Sequence, residues 1–268
     1  MRAFRVAYDG TGYRGYQRQP HDDTVEDTLF EALSNLGVEF ADGAPVGYAA
    51  AGRTDAGVSA RAQTVAFEAP EWLRPRALNG ELPADVRAWA DADVPASFHA
   101  THDAVERTYR YFLYAPNVDV GRFASVAARL SAEHDFHNLT PDETGTERDL
   151  SVSVERDGPF VVVDCRAGGF ARELVRRVVT LLEAVATGDR EAAFLDRVLS
   201  SERLSGPDGI APAPPEPLVL LDVRYPGVKF TVDETAAESA REVFGCRRRE
   251  RLAGARVAET LAGDRKRG

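Results

Sequence analysis

Thr108-Tyr109-Arg110-Tyr111-Phe112-Leu113-Tyr114 has the aromatic density of a strand at the centre of a sheet, and the rest of the chain can be laid out from it. Downstream, the turn Ala115-Pro116-Asn117 stops that strand. A helix is expected over about 121–132, then strands at about 150–156 and 159–166. A long helix follows over about 170–187, with Leu174, Val175, Val178, Leu181 and Leu182 as its apolar face. A second helix is expected over about 189–199, and a closing strand over Val219 to Tyr225.

The upstream half reads in the same order. Phe4, Val6 and Tyr8 alternate with Arg5 and Ala7, which predicts a strand with one buried face. Asp9-Gly10-Thr11-Gly12 is a turn signal, and Thr24 with Asp27 has capping-box spacing. Val25, Leu29, Leu33 and Leu36 make a helical stripe closed by Gly37. A strand near 46–52 then leads into a turn around Asp55. Gln63 to Glu68 reads as a strand, Leu73 to Leu78 as a short helix, and 86–92 as a strand. Strand-helix-strand-strand-helix-strand, written twice, predicts an α/β (α+β) fold. Two ferredoxin-like, RNP-like units would share one mostly antiparallel mixed sheet with helices packed on it and a cleft between the halves. The expected division is 1–104, 105–228 and a charged helical extension over 229–268.

Composition narrows the classes. With 44% hydrophobic and 28% charged residues the chain has the makings of a real core. No apolar run of about 18 residues is present to cross a membrane, and the N-terminus lacks a signal-peptide stretch, so a cytoplasmic protein is expected. The two cysteines, Cys165 and Cys246, are too few and too far apart for a disulfide framework or a thiolate zinc site. His99/His102 and His134/His137 have HxxH spacing, but no third ligand stands at convincing spacing, so no metal is expected. Net charge is −10, yet lysine occurs only at Lys229 and Lys266. Acidity with lysine depletion suits the salt-rich cytoplasm of a halophilic archaeon; GC-rich coding also exchanges Lys for Arg. An acidic chain attracts nucleic acid only if its arginines cluster. Arg247-Arg248-Arg249 and the tail Arg265-Lys266-Arg267 are such clusters, touching RNA or simply solvated.

Gly52-Arg53-Thr54-Asp55-Ala56-Gly57-Val58 carries the chemistry. A carboxylate between two glycines beside a strand end serves as nucleophile, base, metal ligand or turn cap, and capping is the commonest of these uses. Its company changes the reading. The segment resembles the signature of the TruA family of tRNA pseudouridine synthases, and further segments match in order. These are Tyr8-Asp9-Gly10-Thr11-Gly12-Tyr13 through Gly15-Tyr16-Gln17-Arg18-Gln19, then Ala77-Leu78-Asn79 with Leu82-Pro83 and Phe98-His99-Ala100. Arg107-Thr108-Tyr109-Arg110-Tyr111 and Gly169-Phe170-Ala171-Arg172 with Leu174-Val175-Arg176 follow, and Ala211-Pro212-Ala213-Pro214-Pro215 with Val223-Arg224-Tyr225 closes the series.

The resemblance implies conversion of uridine to pseudouridine in the tRNA anticodon stem-loop, at positions 38, 39 and 40, by a homodimer that needs no cofactor. It implies Asp55 as the nucleophile and Arg176 as the cation that keeps it ionised. Tyr109 would stack on the extruded base, its hydroxyl helping to remove the C5 proton, while Tyr111 serves the core. Arg53, Gln17 and Asn79 would contact the substrate. The chain departs from the family pattern at Ser59, Thr101, Glu173 and Thr180; Thr101 removes a cation and Glu173 adds an anion, and both changes weaken the grip on phosphate. A tRNA-binding factor without chemistry would have no use for Asp55, Tyr109 and Arg176 together. A glycoside hydrolase would need a second carboxylate, for which Glu173 is the nearby candidate.

The salt reading has a direct test. Unfolding midpoints are expected to rise steeply as KCl goes from low to molar concentration; full stability at low salt would attribute the arginine bias to coding alone.

Overall fold

The computed structural model describes residues 1–20 and 23–263. The basic tail Arg265-Lys266-Arg267 lies outside the described residues. In chain order the elements are β1 (Arg2–Tyr8), α1 (Val25–Asn35), β2 (Phe40–Ala41), β3 (Ala44–Pro45), β4 (Ala49–Ala50), β5 (Ser59–Phe67), α2 (Pro75–Glu81) and β6 (Val86–Asp93). They continue with β7 (Glu106–Tyr114), α3 (Val120–Leu130), β8 (Ala132–Asp135), β9 (Glu147–Asp157), β10 (Phe160–Ala167), α4 (Leu174–Thr187) and α5 (Ala193–Val198). The last are β11 (Leu218–Arg224), β12 (Thr231–Val232) and α6 (Glu234–Leu261).

Among the described residues, one sheet runs β12-β6-β1-β5-β11-β7-β10-β9-β8, with β4 beside β5. Each half therefore shows fourth-first-third-second order: β6-β1-β5-β4 in the first and β11-β7-β10-β9 in the second. That is the ferredoxin-like arrangement expected from the element order. The halves meet at β5 and β11, which pair parallel through Val219 with Ser59 and Leu220 with Ala60. The other pairings are antiparallel, so the sheet is mixed and mostly antiparallel.

Sequence and environment explain where the elements begin and end. Thr24 caps α1, its hydroxyl accepting from the Asp27 amide at 3.2 Å, as the capping-box spacing predicts. β7 lies between β10 and β11, with Tyr111 opposite Val163 on one side and Leu218 on the other. Tyr111 and Cys165 are both buried in the second core, as expected.

Three expectations are corrected. β1 is buried on both faces, not one. Arg5 on the second face is roofed by Phe230 at 4.4 Å and donates to the carbonyls of Ala62 and Val223. The long helix starts at Leu174 rather than near 170, because Glu173 takes a left-handed conformation at φ 61°. That state costs a side-chain-bearing residue about 1 kcal/mol and cannot continue a helix. The strand near 46–52 shrinks to the two-residue β4, preceded by a turn in which the Tyr48 amide donates to the Pro45 carbonyl at 3.0 Å.

Two hydrophobic cores result, one under each half, and Tyr109 packs against both. Helix α6 lies on β6 and α2. Its Arg247 and Arg251 reach the buried Asp9 carboxylate at 2.8 and 2.6 Å, and Arg247 also lies 3.6 Å from Asp85. Burial alone would raise Asp9, but hydrogen bonds from Thr11 and Arg251 outweigh it and hold its carboxyl below the usual range.

The turn after β1 is threaded tightly against the end of the loop that carries Asp55. A Cβ on Gly10 would sit 2.0 Å from the Val58 carbonyl oxygen, whereas one on Gly12 would meet open space. Gly10→Ala is therefore expected to cost about 3 kcal/mol or more, and Gly12→Ala little. Equal denaturant midpoints for the two variants would contradict this packing.

Candidate active site

Asp55 sits in the loop between β4 and β5, on the wall of a cleft of about 1500 Å³ between the two halves. The loop is held from outside. The Tyr16 amide donates to the Thr54 carbonyl at 3.0 Å, the Gly57 amide to the Tyr13 carbonyl at 3.3 Å, and the Tyr8 hydroxyl lies 2.8 Å from that of Thr54. Gly57 has φ +82°, and a Cβ there would strike Pro215 at 2.8 Å, so the residue after the turn must be glycine on both counts.

Across the cleft, the first turn of α4 supplies Arg176. Its Nη1 donates to the Asp55 Oδ2 at 3.2 Å, and its Nε donates to the Ala213 carbonyl at 2.6 Å. The Asp55 and Arg176 side chains are 31% and 13% exposed, so the carboxylate keeps one open side while its cation is mostly enclosed. The two residues stand 121 positions apart. The contact is a charge-assisted hydrogen bond joining the two walls of the cleft.

Tyr109, on β7, lines the same cleft with its ring edge-on to Phe170, centroids 5.0 Å apart and planes at 83°. Burial, and after it the nearby Asp55 carboxylate, push its hydroxyl well above the ordinary tyrosine range, so it holds its proton at neutral pH. Phe170 escaped the sequence reading as a site residue. The left-handed Glu173 explains its place, because stopping the helix there leaves 169–173 as a loop that hands Phe170 to the cleft.

The remaining expectations divide. Gln17 and Arg53 line the cleft. Arg53 is exposed and, among the described residues, makes no hydrogen bond or ion pair. Asn79 is not brought there. Its amide donates to the Ala88 carbonyl and accepts from the Ala88 amide, both at 2.8 Å, so it locks α2 to β6. Glu173 does not present a free anion to the cleft, since Arg177 holds its carboxylate at 2.6 Å. Thr101 directs its hydroxyl to the Ala50 carbonyl. The rings of His99 and His102 lie 4.2 Å apart, and among the described residues no three side chains are grouped to hold a metal ion.

Arg107 also lines the cleft and was missed as a structural keystone. It is 9% exposed and has no carboxylate partner among the described residues. Instead it donates to the carbonyls of Ala51 at 2.8 and 3.1 Å, Thr101 at 2.6 Å, Ala104 at 3.4 Å and Gly168. Burial lowers its pKa from the ordinary arginine value. The available signal was an arginine opening an otherwise aromatic, central strand, where a buried cation must find acceptors.

Comparison with known proteins gives the chain a family. Residues 126–226 match the family pattern described as tRNA pseudouridine synthase. The chain is 70% identical to the "tRNA pseudouridine synthase A" of Natronomonas pharaonis over 264 residues, covering 98% of this chain and 99% of that protein. The Haloarcula marismortui protein of that name is 61% identical, covering 97% and 98%. The corresponding Methanothrix thermoacetophila protein is 36% identical, covering 97% and 96%. The first two organisms are halophilic archaea, in keeping with the acidic, lysine-poor composition.

Removing the Arg107 fork would take the donor from four carbonyls, two of them, on Ala51 and Ala104, in buried residues. Arg107→Met is expected to destabilise the protein by about 3 kcal/mol, with Arg107→Lys between it and the wild type. Chemical denaturation at fixed KCl reads this, and a loss under about 1 kcal/mol for Met would remove Arg107 from the keystone role.

Proposed function

Because the chain belongs to the TruA family of tRNA pseudouridine synthases, we propose that Asp55 is the nucleophile with which it isomerises uridine in the anticodon stem-loop, at positions 38, 39 and 40 of tRNA. The observation that carries the assignment is the Asp55–Arg176 pair, 3.2 Å long and built from opposite halves, at the wall of a cleft that Tyr109 also lines.

The chemistry asks for these groups. The N1–C1′ bond of uridine breaks, the uracil turns, and C5 bonds to C1′; the C5 proton leaves and N1 gains one, so the atoms balance without redox change. A carboxylate assists either by attacking C1′ or by taking the C2′ proton, and Asp55 has an open side for both. Arg176 holds that carboxylate in place by a charge-assisted hydrogen bond. The target base must leave its stack to reach the cleft. Tyr109 and Phe170 offer it an aromatic wall, and stacking is the role assigned to Tyr109, whose neutral hydroxyl is a poor proton acceptor. Arg53, exposed beside the nucleophile, is left to meet phosphate, and Gln17 to hydrogen-bond substrate.

The same reading takes the enzyme as a cytoplasmic homodimer with one tRNA crossing both subunits. It is supported by the family alone, together with the fact that no described helix is long and apolar enough to cross a membrane.

Mapping pseudouridine in tRNA incubated with wild type and with Asp55→Asn tests the assignment. Wild type is expected to modify positions 38, 39 or 40, and the variant to lose about a thousandfold or more, some 4 kcal/mol of barrier. Equal product from both would end the nucleophile role, and product elsewhere in the tRNA would end the stem-loop reading.

A further inference from the structure

Helix α6 is about 42 Å long at 1.5 Å per residue. Ala236 and Ala237 are its buried residues, contacts to the body continue as far as Arg251, and nearly every side chain from Arg248 onward is exposed. Over positions 247–256 it carries five arginines and one glutamate, a formal +4, in a chain whose net charge is −10.

These arginines divide by helix face. Arg247 and Arg251, one turn apart, point inward to Asp9, and Arg251 also lies 3.4 Å from the Thr11 hydroxyl. Arg249 and Arg256, two turns apart, share the opposite side, and Arg248 lies between the two faces. Arg248 and Arg249 make no hydrogen bond or ion pair among the described residues, and Arg256 is 72% exposed, with its partner Glu259 on the same helix. Neither Arg248 nor Arg249 holds the fold together.

Position supplies the second half of the argument. The segment that anchors α6, Asp9 to Thr11, runs directly into Arg14, Gly15, Tyr16 and Gln17, which line the cleft. Several of the cleft's own cations are already engaged: Arg107 with carbonyls, Arg172 with Asp142 at 3.3 Å, Arg176 with Asp55. The chain segment that forms this wall of the cleft therefore also anchors the helix bearing the unengaged charge.

We propose that the outer arginine face of α6, formed by Arg248, Arg249 and Arg256, is a second docking surface for the substrate tRNA, gripping its phosphate backbone away from the target nucleotide. This rests on the tRNA reading given above. Guanidinium suits the task better than ammonium in a salt-rich cell. With a Debye length of about 3 Å at 1 M salt, only directly touching pairs with bidentate geometry keep their value.

The test uses the full chain carrying Arg248→Glu and Arg249→Glu together, with Arg122→Glu and Arg203→Glu as a control of equal charge change on exposed arginines of the second half. Initial rates are measured against tRNA concentration, and tRNA affinity against KCl. The α6 variant is expected to raise KM about tenfold with kcat and unfolding temperature unchanged, and to lower the salt slope by about one for each phosphate it no longer neutralises. The control is expected to shift KM less than about twofold. An unchanged KM and slope in the α6 variant, or an equal rise in the control, would overturn the docking surface while leaving the synthase assignment intact. Absence of pseudouridine from tRNA treated with wild type would instead bring down the reading on which the proposal stands.

Discussion

The arrangement depends on a buried guanidinium that has no anion to face. Arg107 opens β7 and reaches the carbonyls of Ala51, Thr101, Ala104 and Gly168, which converge on it from the loop before Asp55, the turns before β7 and the loop after β10. Burying a cation is costly unless its donors are filled, so these stretches must stand where their oxygens meet. Ala51 begins the segment leading to Asp55, and Gly168 the loop leading to Phe170 and Arg176. Two residues further along the strand, on the same face, Tyr109 packs against both cores. One side chain thereby ties the loop of Asp55, the loop leading to Arg176 and the ring of Tyr109 to a single strand.

How much of this was legible in the chain differs by element. β7 was readable from its aromatics and α1 from its stripe and cap, because those signals are local. The doubled element order carried the sheet. What failed was whatever depended on a neighbour. β1 looked one-faced because nothing near Arg5 announces that Phe230 will cover it. β8 and β12 are short and polar, and exist because β9 and β6 offer free edges. The start of α4 was misjudged since Glu173 looks helical in isolation, and only the demand that both Phe170 and Arg176 face the cleft forces its left-handed turn. In the site, Asp55 alone reads as a cap. Its partner at position 176 was identifiable only through resemblance to a family, and Asn79 entered the same way and proved to be structural.

Electrostatics in an acidic arginine-rich chain are economical. Many arginines are committed to carbonyls or carboxylates, as in the Arg110–Asp164 pair at 2.7 Å and the Arg2–Asp93 pair at 2.8 Å. Exposed pairs, such as Arg241–Glu238 at 2.7 Å, contribute little each. Their larger effect is to pair off much of the cationic charge, which weakens any broad positive field around the cleft. Recognition by shape and stacking is also the kind that high salt leaves intact.

The seam between β5 and β11 has a consequence in time. Asp55 and its cation are separated by 121 positions, and the seam strand comes later still. At about 5–20 residues per second of synthesis, some ten seconds pass between the emergence of the carboxylate and that of Arg176. For that interval the nascent chain holds Asp55 without the arginine it pairs with. The pair, and the seam that joins the two halves, can close only after β11 has been made.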